Sequence, residues 1–128
     1  MTSRSPRLGD VYLVSDDALS LPPIDDCKVH RERRPVVVLS GETTNSDPAW
    51  LTVLVVPLSS STTRKTRYCV KLGVGDGNLT KKTWARVPAV QPLAKGHLQD
   101  FTGSLPADKL EQIQARVLEY MGLIDEDV

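Results

Sequence analysis

Two polar residues stand beside strongly apolar segments, where their side chains could meet a ligand. Arg34 precedes the apolar residues 36–39, and Ser59 follows the apolar residues 51–56. If these segments are neighbouring strands, a guanidinium and a hydroxyl lie together at one end of a sheet, an arrangement that suits a phosphate. Two structural explanations stay open. Arg34 could be a solvated strand-end arginine, and Ser59 could belong to a hydroxyl-rich turn that bonds its own backbone.

The composition predicts one globular domain. The 128 residues are 40% hydrophobic and 25% charged, enough for one ordinary core, so we expect a single domain over residues 1–128 with its core at 8–122. The same figures argue against a disordered, collagen-like or coiled-coil chain. No segment has the apolar length of a membrane helix, and no signal-peptide pattern is present. We therefore expect a cytoplasmic protein whose Cys27 and Cys69 are reduced.

The formal net charge is zero, but the charges are unevenly distributed along the chain. Residues 1–27 carry two basic and five acidic side chains (−3), residues 28–86 carry eleven and four (+7), and residues 87–128 carry three and seven (−4). A basic middle segment that folds into neighbouring strands gives a positive surface, which attracts phosphates. Equally, these cations could pair with the acidic ends of the chain and form a solvated face.

Short apolar segments bounded by turn-forming residues predict five or six strands. They are residues 10–14, 36–39, 51–56, 66–72, 83–90 and part of 97–105. Residues 36–39 are apolar at every position, which indicates a strand that is buried on both faces or belongs to a closed barrel. The third strand is expected to stop at Pro57, and Pro88 and Pro92 predict an edge position or a bulge for the fifth.

A single clear helix is predicted at the end of the chain, over residues 106–121. Pro106 suits the first turn, Asp108 the positive end of the helix dipole, and Gly122 the position after the last turn. The apolar residues at helical spacing are expected to pack on the core: Leu110, Ile113, Val117, Leu118 and Met121. Short strands followed by a terminal helix predict a mostly β fold, a small closed or nearly closed barrel capped by the C-terminal α-helix.

Four segments in this order resemble the MazF/PemK family of toxin endoribonucleases. They are GDVYLV (9–14), RRPVVVLS (33–40), VLVVPLSS (53–60) and TWARV (83–87) followed by Gln91. The helical end of the chain, from Gly103 to Gly122, matches the later part of the family pattern. The resemblance covers residues 8–122. Each segment alone is a strand with a polar flank, whereas four in order in a chain of this length are specific.

The resemblance implies an SH3-like small barrel of the MazF, PemK and CcdB type. It also implies a homodimer with a groove for single-stranded RNA, no metal or other cofactor, and a cognate antitoxin protein that blocks the groove. The expected reaction is attack of a ribose 2′-hydroxyl on the neighbouring phosphorus. This leaves a cyclic phosphate, or its opened product, and a free 5′-hydroxyl.

The same resemblance implies roles for the residues named first. Arg34 would stabilise the charge that builds on the non-bridging phosphate oxygens, because its fork of donors matches two oxygens at once. Ser59 stands where family members have Thr or Ser and would orient the scissile phosphate, with Ser60 beside it. We do not predict Ser59 as a nucleophile, since no base partner stands next to it in the sequence.

The chain departs from the family pattern at the residues that transfer protons. Residues 26–32, DCKVHRE, replace the Gly-x-Glu-Gln loop of many members, and Val90 stands where several have an acidic residue. His30 is predicted to substitute as general acid or base, because imidazole titrates near neutrality, and Glu32 is a second option. An exposed loop histidine is the alternative. Cys27 and His30 have a C-x-x-H spacing, but no second pair follows, so no metal site is predicted.

Further residues are predicted to bind RNA through its backbone or bases. Gln91 belongs to the fourth motif, and Trp84 or Tyr68 could stack on a base, although core packing is the favoured alternative for both aromatics. The predicted backbone-contacting cations are Arg31, Arg33, Arg64, Lys65, Arg67, Lys81 and Lys82.

Two hypotheses of different classes follow. The first is a metal-independent, sequence-selective endoribonuclease that acts as the toxin of a toxin-antitoxin pair. The second is a non-catalytic barrel that binds nucleic acid or a protein partner. The second is motivated by the missing loop glutamate and by Val90, and it is possible because a fold does not fix an activity.

Overall fold

The computed structural model describes residues 5–21, 33–62 and 65–125. Seven strands and two helices account for about half of them. The strands are β1 (Asp10–Ser15), β2 (Arg33–Val38), β3 (Thr52–Ser59), β4 (Val70–Leu72), β5 (Thr83–Ala85), β6 (Gln91–Ala94) and β7 (Asp100–Ser104). The helices are α1 (Glu42–Asn45) and α2 (Ala107–Tyr120). No helix in the described part of the chain is both long and apolar enough to cross a membrane.

All strand pairs are antiparallel, and they form one bent sheet in the order β4-β5-β3-β2-β1-β7, with β6 added to β3. This half-barrel with a C-terminal helix confirms the predicted mostly β fold. The 3-10 turn Asp76–Asn78 lies against β7. Asn78 donates a hydrogen bond to the Thr102 carbonyl (2.7 Å), and the Thr102 hydroxyl donates to the Gly77 carbonyl (3.2 Å). The turn between β4 and β5 thus joins the two ends of the sheet.

Two glycines allow this turn to approach the sheet closely. Gly77 has a φ of 59°, and a Cβ there would lie 2.7 Å from a side-chain methyl of Val11. A Cβ on Gly103 would lie 2.9 Å from the backbone carbon of Gly77. Both distances are shorter than carbon atoms tolerate, so the close packing requires glycine at both positions.

The sheet buries apolar side chains on both faces. Val36 and Val38 join one cluster with Val14 on β1, whereas Val37 points to the other face and joins a cluster with Ile113 of α2. All three β2 valines are fully buried, as the continuous apolar run predicted. Successive strand residues point to opposite faces, so each apolar position on this strand serves one of two cores.

The third strand does not stop at Pro57, which corrects the prediction. β3 runs through Pro57 to Ser59 and exchanges partners there: Pro57 is opposite Val36 of β2, and the next residue, Leu58, is opposite Ala85 of β5. The carbonyl of Pro57 accepts the N–H of Arg86 at 2.9 Å. A proline can occupy the point of exchange because a strand needs fewer N–H donors where it leaves one neighbour for another.

The fourth and fifth predicted strands are shorter than expected. β4 covers only Val70–Leu72, and the segment 83–90 divides into β5 and the 3-10 turn Val87–Ala89, which contains Pro88. A separate strand, β6, follows and pairs with β3, with Pro92 opposite Leu54. The prolines therefore end one strand and start another. They do not produce a bulge in a single strand.

The C-terminal helix lies within one residue of its predicted limits. Gly122, with a φ of 80°, follows the cap, its N–H donates to the Glu119 carbonyl, and the Leu123 N–H donates to the Leu118 carbonyl, a Schellman motif. Ile113 and Val117 are buried against the core. Leu118 and Met121 are 39% and 62% exposed, which corrects the prediction that they pack on the core.

Candidate functional site

Two contacts hold the side chain of Arg34, which lies near the start of β2. Its Nε donates to Oδ1 of Asp16 at 2.9 Å, and its Nη1 lies 3.4 Å from the carbonyl oxygen of Leu58. The side chains of Arg34 and Asp16 are 14% and 23% exposed. The guanidinium therefore lies at the end of β3, beside the residue that precedes Ser59.

Extending the β2–β3 register two residues beyond its last pair brings Arg34 opposite Ser59. The last pair between β2 and β3 is Val36 with Pro57. Arg34 lies two residues before Val36, and Ser59 lies two residues after Pro57, so alternation gives both the same side of the sheet. The residue Ser59 is 5% exposed, and its Oγ accepts the N–H of Ser61 at 3.1 Å. This contact leaves the hydroxyl hydrogen as a donor.

A cleft of about 360 Å³ lies beside this strand end. Its lining includes Ser59, Ser60, Arg33 and Lys81 but not Arg34. The side chain of Arg33 lies on the opposite face of β2 from that of Arg34. Its guanidinium forms a salt bridge with Asp100 on β7. The sequence motif thus places its two adjacent arginines in different environments. Arg34 is enclosed, and Arg33 is exposed at the cleft.

A second cleft, of about 710 Å³, lies between the β3–β4 loop and the segment from Arg86 to Gln91. Lys65 and Arg86 are the cations in its lining, which also includes Ser20. The side-chain amide of Gln91 accepts the N–H of Ser20 at 2.9 Å and donates to its carbonyl at 3.0 Å. Gln91 therefore fixes the wall of the cleft through both atoms of its amide.

Two predicted cations lie over aromatic rings. Nζ of Lys65 lies 4.2 Å from the ring centroid of Trp84, which is opposite Ser59 in the β3–β5 pair. The guanidinium of Arg67 lies 5.0 Å from the ring of Tyr68, and Arg67 donates to the Tyr68 hydroxyl at 3.0 Å. Both rings are half-buried, so each serves partly as packing and partly as a surface for a cation.

Some of the remaining predicted residues lie in the described part of the chain, and others do not. Lys81 and Lys82 are exposed. His30, Arg31, Glu32, Arg64 and Cys27 lie outside the described residues. Within the described ranges, no group of three His, Cys, Asp or Glu side chains could hold a metal ion.

Asp16 is the site residue that sequence reasoning missed. It follows β1 directly, and β1 pairs with β2 so that Val14 is opposite Arg34 and Ser15 is opposite Arg33. An acidic residue just after the first strand is therefore next to an arginine at the start of the second. The signal was present in the sequence, but reading it requires the assumption that these two strands form an antiparallel pair.

Comparison with solved structures supports the fold over nearly the whole chain. A mycobacterial endoribonuclease solved in complex with its cognate antitoxin is 21% identical, with a TM-score of 0.67, covering 97% of this chain and 100% of that one. The Mycobacterium tuberculosis toxin MazF-mt6 is 18% identical, with a TM-score of 0.68 and coverages of 90% and 98%. A MazE-MazF structure from Deinococcus radiodurans is 16% identical, with a TM-score of 0.69 and coverages of 95% and 100%. At these identities the likeness establishes the fold.

Family membership comes from the sequence itself. No curated protein matches the chain. The model of one family, described as the PemK-like, MazF-like toxin of type II toxin-antitoxin systems, matches residues 8–121. That match includes every described element of the sheet, the Arg34 and Ser59 positions and helix α2. The chain is a member of the PemK-like, MazF-like toxin family of type II toxin-antitoxin systems.

Proposed function

We propose that this protein is a metal-independent, sequence-selective endoribonuclease that cleaves single-stranded RNA in the cytoplasm as the toxin of a toxin-antitoxin pair. The observation that carries the proposal is the guanidinium of Arg34 at the end of β3, 3.4 Å from the carbonyl that precedes Ser59. Family membership supports it. So does the likeness of its fold to an endoribonuclease solved in complex with its cognate antitoxin.

The proposed reaction starts with the ribose 2′-oxygen. It attacks the adjacent phosphorus, the bond from phosphorus to the 5′-oxygen breaks, and the products are a 2′,3′-cyclic phosphate and a free 5′-hydroxyl. The 2′-hydroxyl loses a proton and the departing 5′-oxygen gains one. We assign this proton transfer to His30, since imidazole exchanges protons near neutral pH.

Arg34 would stabilise the negative charge that builds on the phosphate during attack. The contact from Nη1 to the Leu58 carbonyl is long for a hydrogen bond, so a phosphate oxygen can replace it. The donors of Nη1 and Nη2 can then face two non-bridging oxygens. Because the guanidinium is largely enclosed, its interaction with the phosphate is stronger than at an open surface.

Ser59 would orient the phosphate through its hydroxyl hydrogen, with Ser60 next to it in the chain as a second hydroxyl. Several cations would hold the RNA backbone. They are Arg31, Arg33, Arg64, Lys65 and Arg67, while Gln91 shapes the wall of the larger cleft. Such contacts carry little base specificity, and RNA binding should weaken as salt is added.

The proposed partners are a second copy of the chain and an antitoxin protein. One structural neighbour is an endoribonuclease in complex with its cognate antitoxin, and another is a MazE-MazF structure. A complex with an antitoxin is proposed here as well. The antitoxin would cover the two clefts and exclude RNA from them.

The test is cleavage of single-stranded RNA by the purified protein in EDTA. We expect shorter fragments with cyclic phosphate and 5′-hydroxyl ends, and no cleavage when deoxyribose replaces the scissile ribose. Arg34→Ala should abolish cleavage. Arg116→Ala is the matched control, because it removes an arginine from α2, where its partner is Glu119. Intact RNA after incubation with folded protein over a broad pH range would refute the proposal.

A second candidate function is a non-catalytic barrel that binds nucleic acid or a protein partner. It is favoured by the low exposure of Ser59, 5%, and by the ion pair that already engages Arg34. Binding of RNA with no cleavage under all conditions above would support it. RNA affinity that falls with salt is expected from both candidates and does not separate them.

A further inference from the structure

Asp16 is the described acidic side chain that contacts the Arg34 guanidinium. It stands at the start of the 3-10 turn Asp16–Ala18, and its backbone carbonyl accepts the N–H of Leu19 at 3.1 Å. Leu19 is buried in the cluster on that face of the sheet. The turn is therefore anchored on one side by β1 and on the other by Leu19, which fixes the position of the carboxylate.

We propose that Asp16 is the positioning residue for Arg34, a role that rests on the proposed endoribonuclease function. Arginine can donate from Nε and from both terminal nitrogens. Asp16 takes Nε, at 2.9 Å, which fixes the rotation of the planar group. Among the described residues, the further contact of this guanidinium is the long one from Nη1 to the Leu58 carbonyl, which a phosphate oxygen would replace. A guanidinium held in this orientation requires little reorganisation during the reaction.

The charge of Asp16 makes this role testable. A carboxylate beside the phosphate site repels the RNA, so it opposes binding of the ground state while it orients the catalytic cation. Asparagine retains an oxygen that accepts from Nε but has no charge, and alanine removes the acceptor as well. A positioning role therefore predicts different results for Asp16→Asn and Asp16→Ala.

The experiment compares kcat and KM for cleavage of one RNA oligonucleotide by the wild type, Asp16→Asn, Asp16→Ala and Asp17→Ala. Asp17 is an exposed acid in the same turn, so its variant controls for charge and for disturbance of the turn. We expect kcat of Asp16→Ala to fall by about 10-fold or more with KM unchanged or lower, because orientation is lost and repulsion is removed. Asp16→Asn should keep kcat within about threefold of the wild type, and Asp17→Ala should match the wild type.

Two results would overturn the proposal. Equal kcat for Asp16→Ala and the wild type would show that Arg34 needs no support. Equal and large losses for Asp16→Asn and Asp16→Ala would show that the carboxylate charge itself is required, as for a general base. Urea unfolding of each variant separates these results from a loss of folding.

A measurement that needs no RNA distinguishes failure of this proposal from failure of the proposed function. In NMR spectra of the protein alone, the Nε–H of Arg34 should be protected from exchange in the wild type and in Asp16→Asn, and unprotected in Asp16→Ala. If the wild type cleaves no RNA, the proposed function fails, and this signal still decides whether Asp16 orders Arg34. An unprotected Nε–H in the wild type would refute the positioning role.

Discussion

Replacing Arg34 with lysine separates the charge of this residue from its geometry. Lysine keeps the positive charge and can still pair with Asp16, but its single ammonium cannot face two phosphate oxygens from a fixed plane. Removing one well-placed donor from a transition state typically costs about 100-fold in kcat, which is about 2.7 kcal/mol. We expect Arg34→Lys to lose about that factor.

The structure predicts a much smaller effect on folding. The Arg34–Asp16 pair is 14% and 23% exposed, and a lysine that reaches Asp16 preserves the pairing of charges. The free energy of unfolding should therefore change by less than about 1 kcal/mol. The packed valines of β2, which are fully buried, are untouched. Activity and stability should thus respond by different amounts to one substitution.

The assay is single-turnover cleavage of an RNA oligonucleotide with protein in excess, together with urea unfolding of the same preparation. Arg116→Lys is the control, since Arg116 pairs with Glu119 within α2. Cleavage by Arg34→Lys within about threefold of the wild type would refute the reasoning, because charge alone would then suffice. A loss of more than about 2 kcal/mol in stability would refute it differently, by making Arg34 a structural residue.

Three further predictions concern stability. Ile113→Ala should lower the free energy of unfolding by about 2–5 kcal/mol because Ile113 is fully buried, whereas Met121→Ala should change it by less than about 0.5 kcal/mol in the same urea titration. Gly77→Ala should lower the melting temperature through its left-handed φ and a 2.7 Å contact, and Gly96→Ala, which has open space around it, is the control. Gln91→Glu should cost about 0.5–1.5 kcal/mol, because a carboxylate cannot donate to the Ser20 carbonyl; unchanged calorimetric melting would contradict this expectation.

The main positions of the candidate site were predictable because they lie at strand ends. Arg34 and Ser59 flank apolar runs, and antiparallel pairing of two such runs brings a start and an end together. Predicting the contact between Arg34 and Asp16 requires two further facts. They are the pairing of β1 with β2 and the 3-10 turn that follows β1. Local patterns identify strands, but they do not state which strands are neighbours, so contacts between strands are the harder part.

The exposure of individual side chains on α2 was also harder to predict than the limits of the helix. The spacing of Leu118 and Met121 matches the apolar stripe of α2, yet both are exposed, whereas Ile113 is buried. The helix packs on β4 and the Val87–Ala89 turn. Periodicity defines the direction of a helix face, but the extent of the surface beneath it depends on the rest of the fold.

The proline within β3 has a consequence for accuracy of folding. Residues 53–58 are apolar throughout, so sliding β3 by one position along β2 would still leave apolar side chains on both faces, and hydrophobicity would scarcely oppose the error. Pro57, which lacks an N–H, would then stand opposite Val37, where the antiparallel ladder needs a donor. The slip would also turn Ser59 to the face of the sheet opposite Arg34. A single proline ring therefore disfavours misaligned molecules.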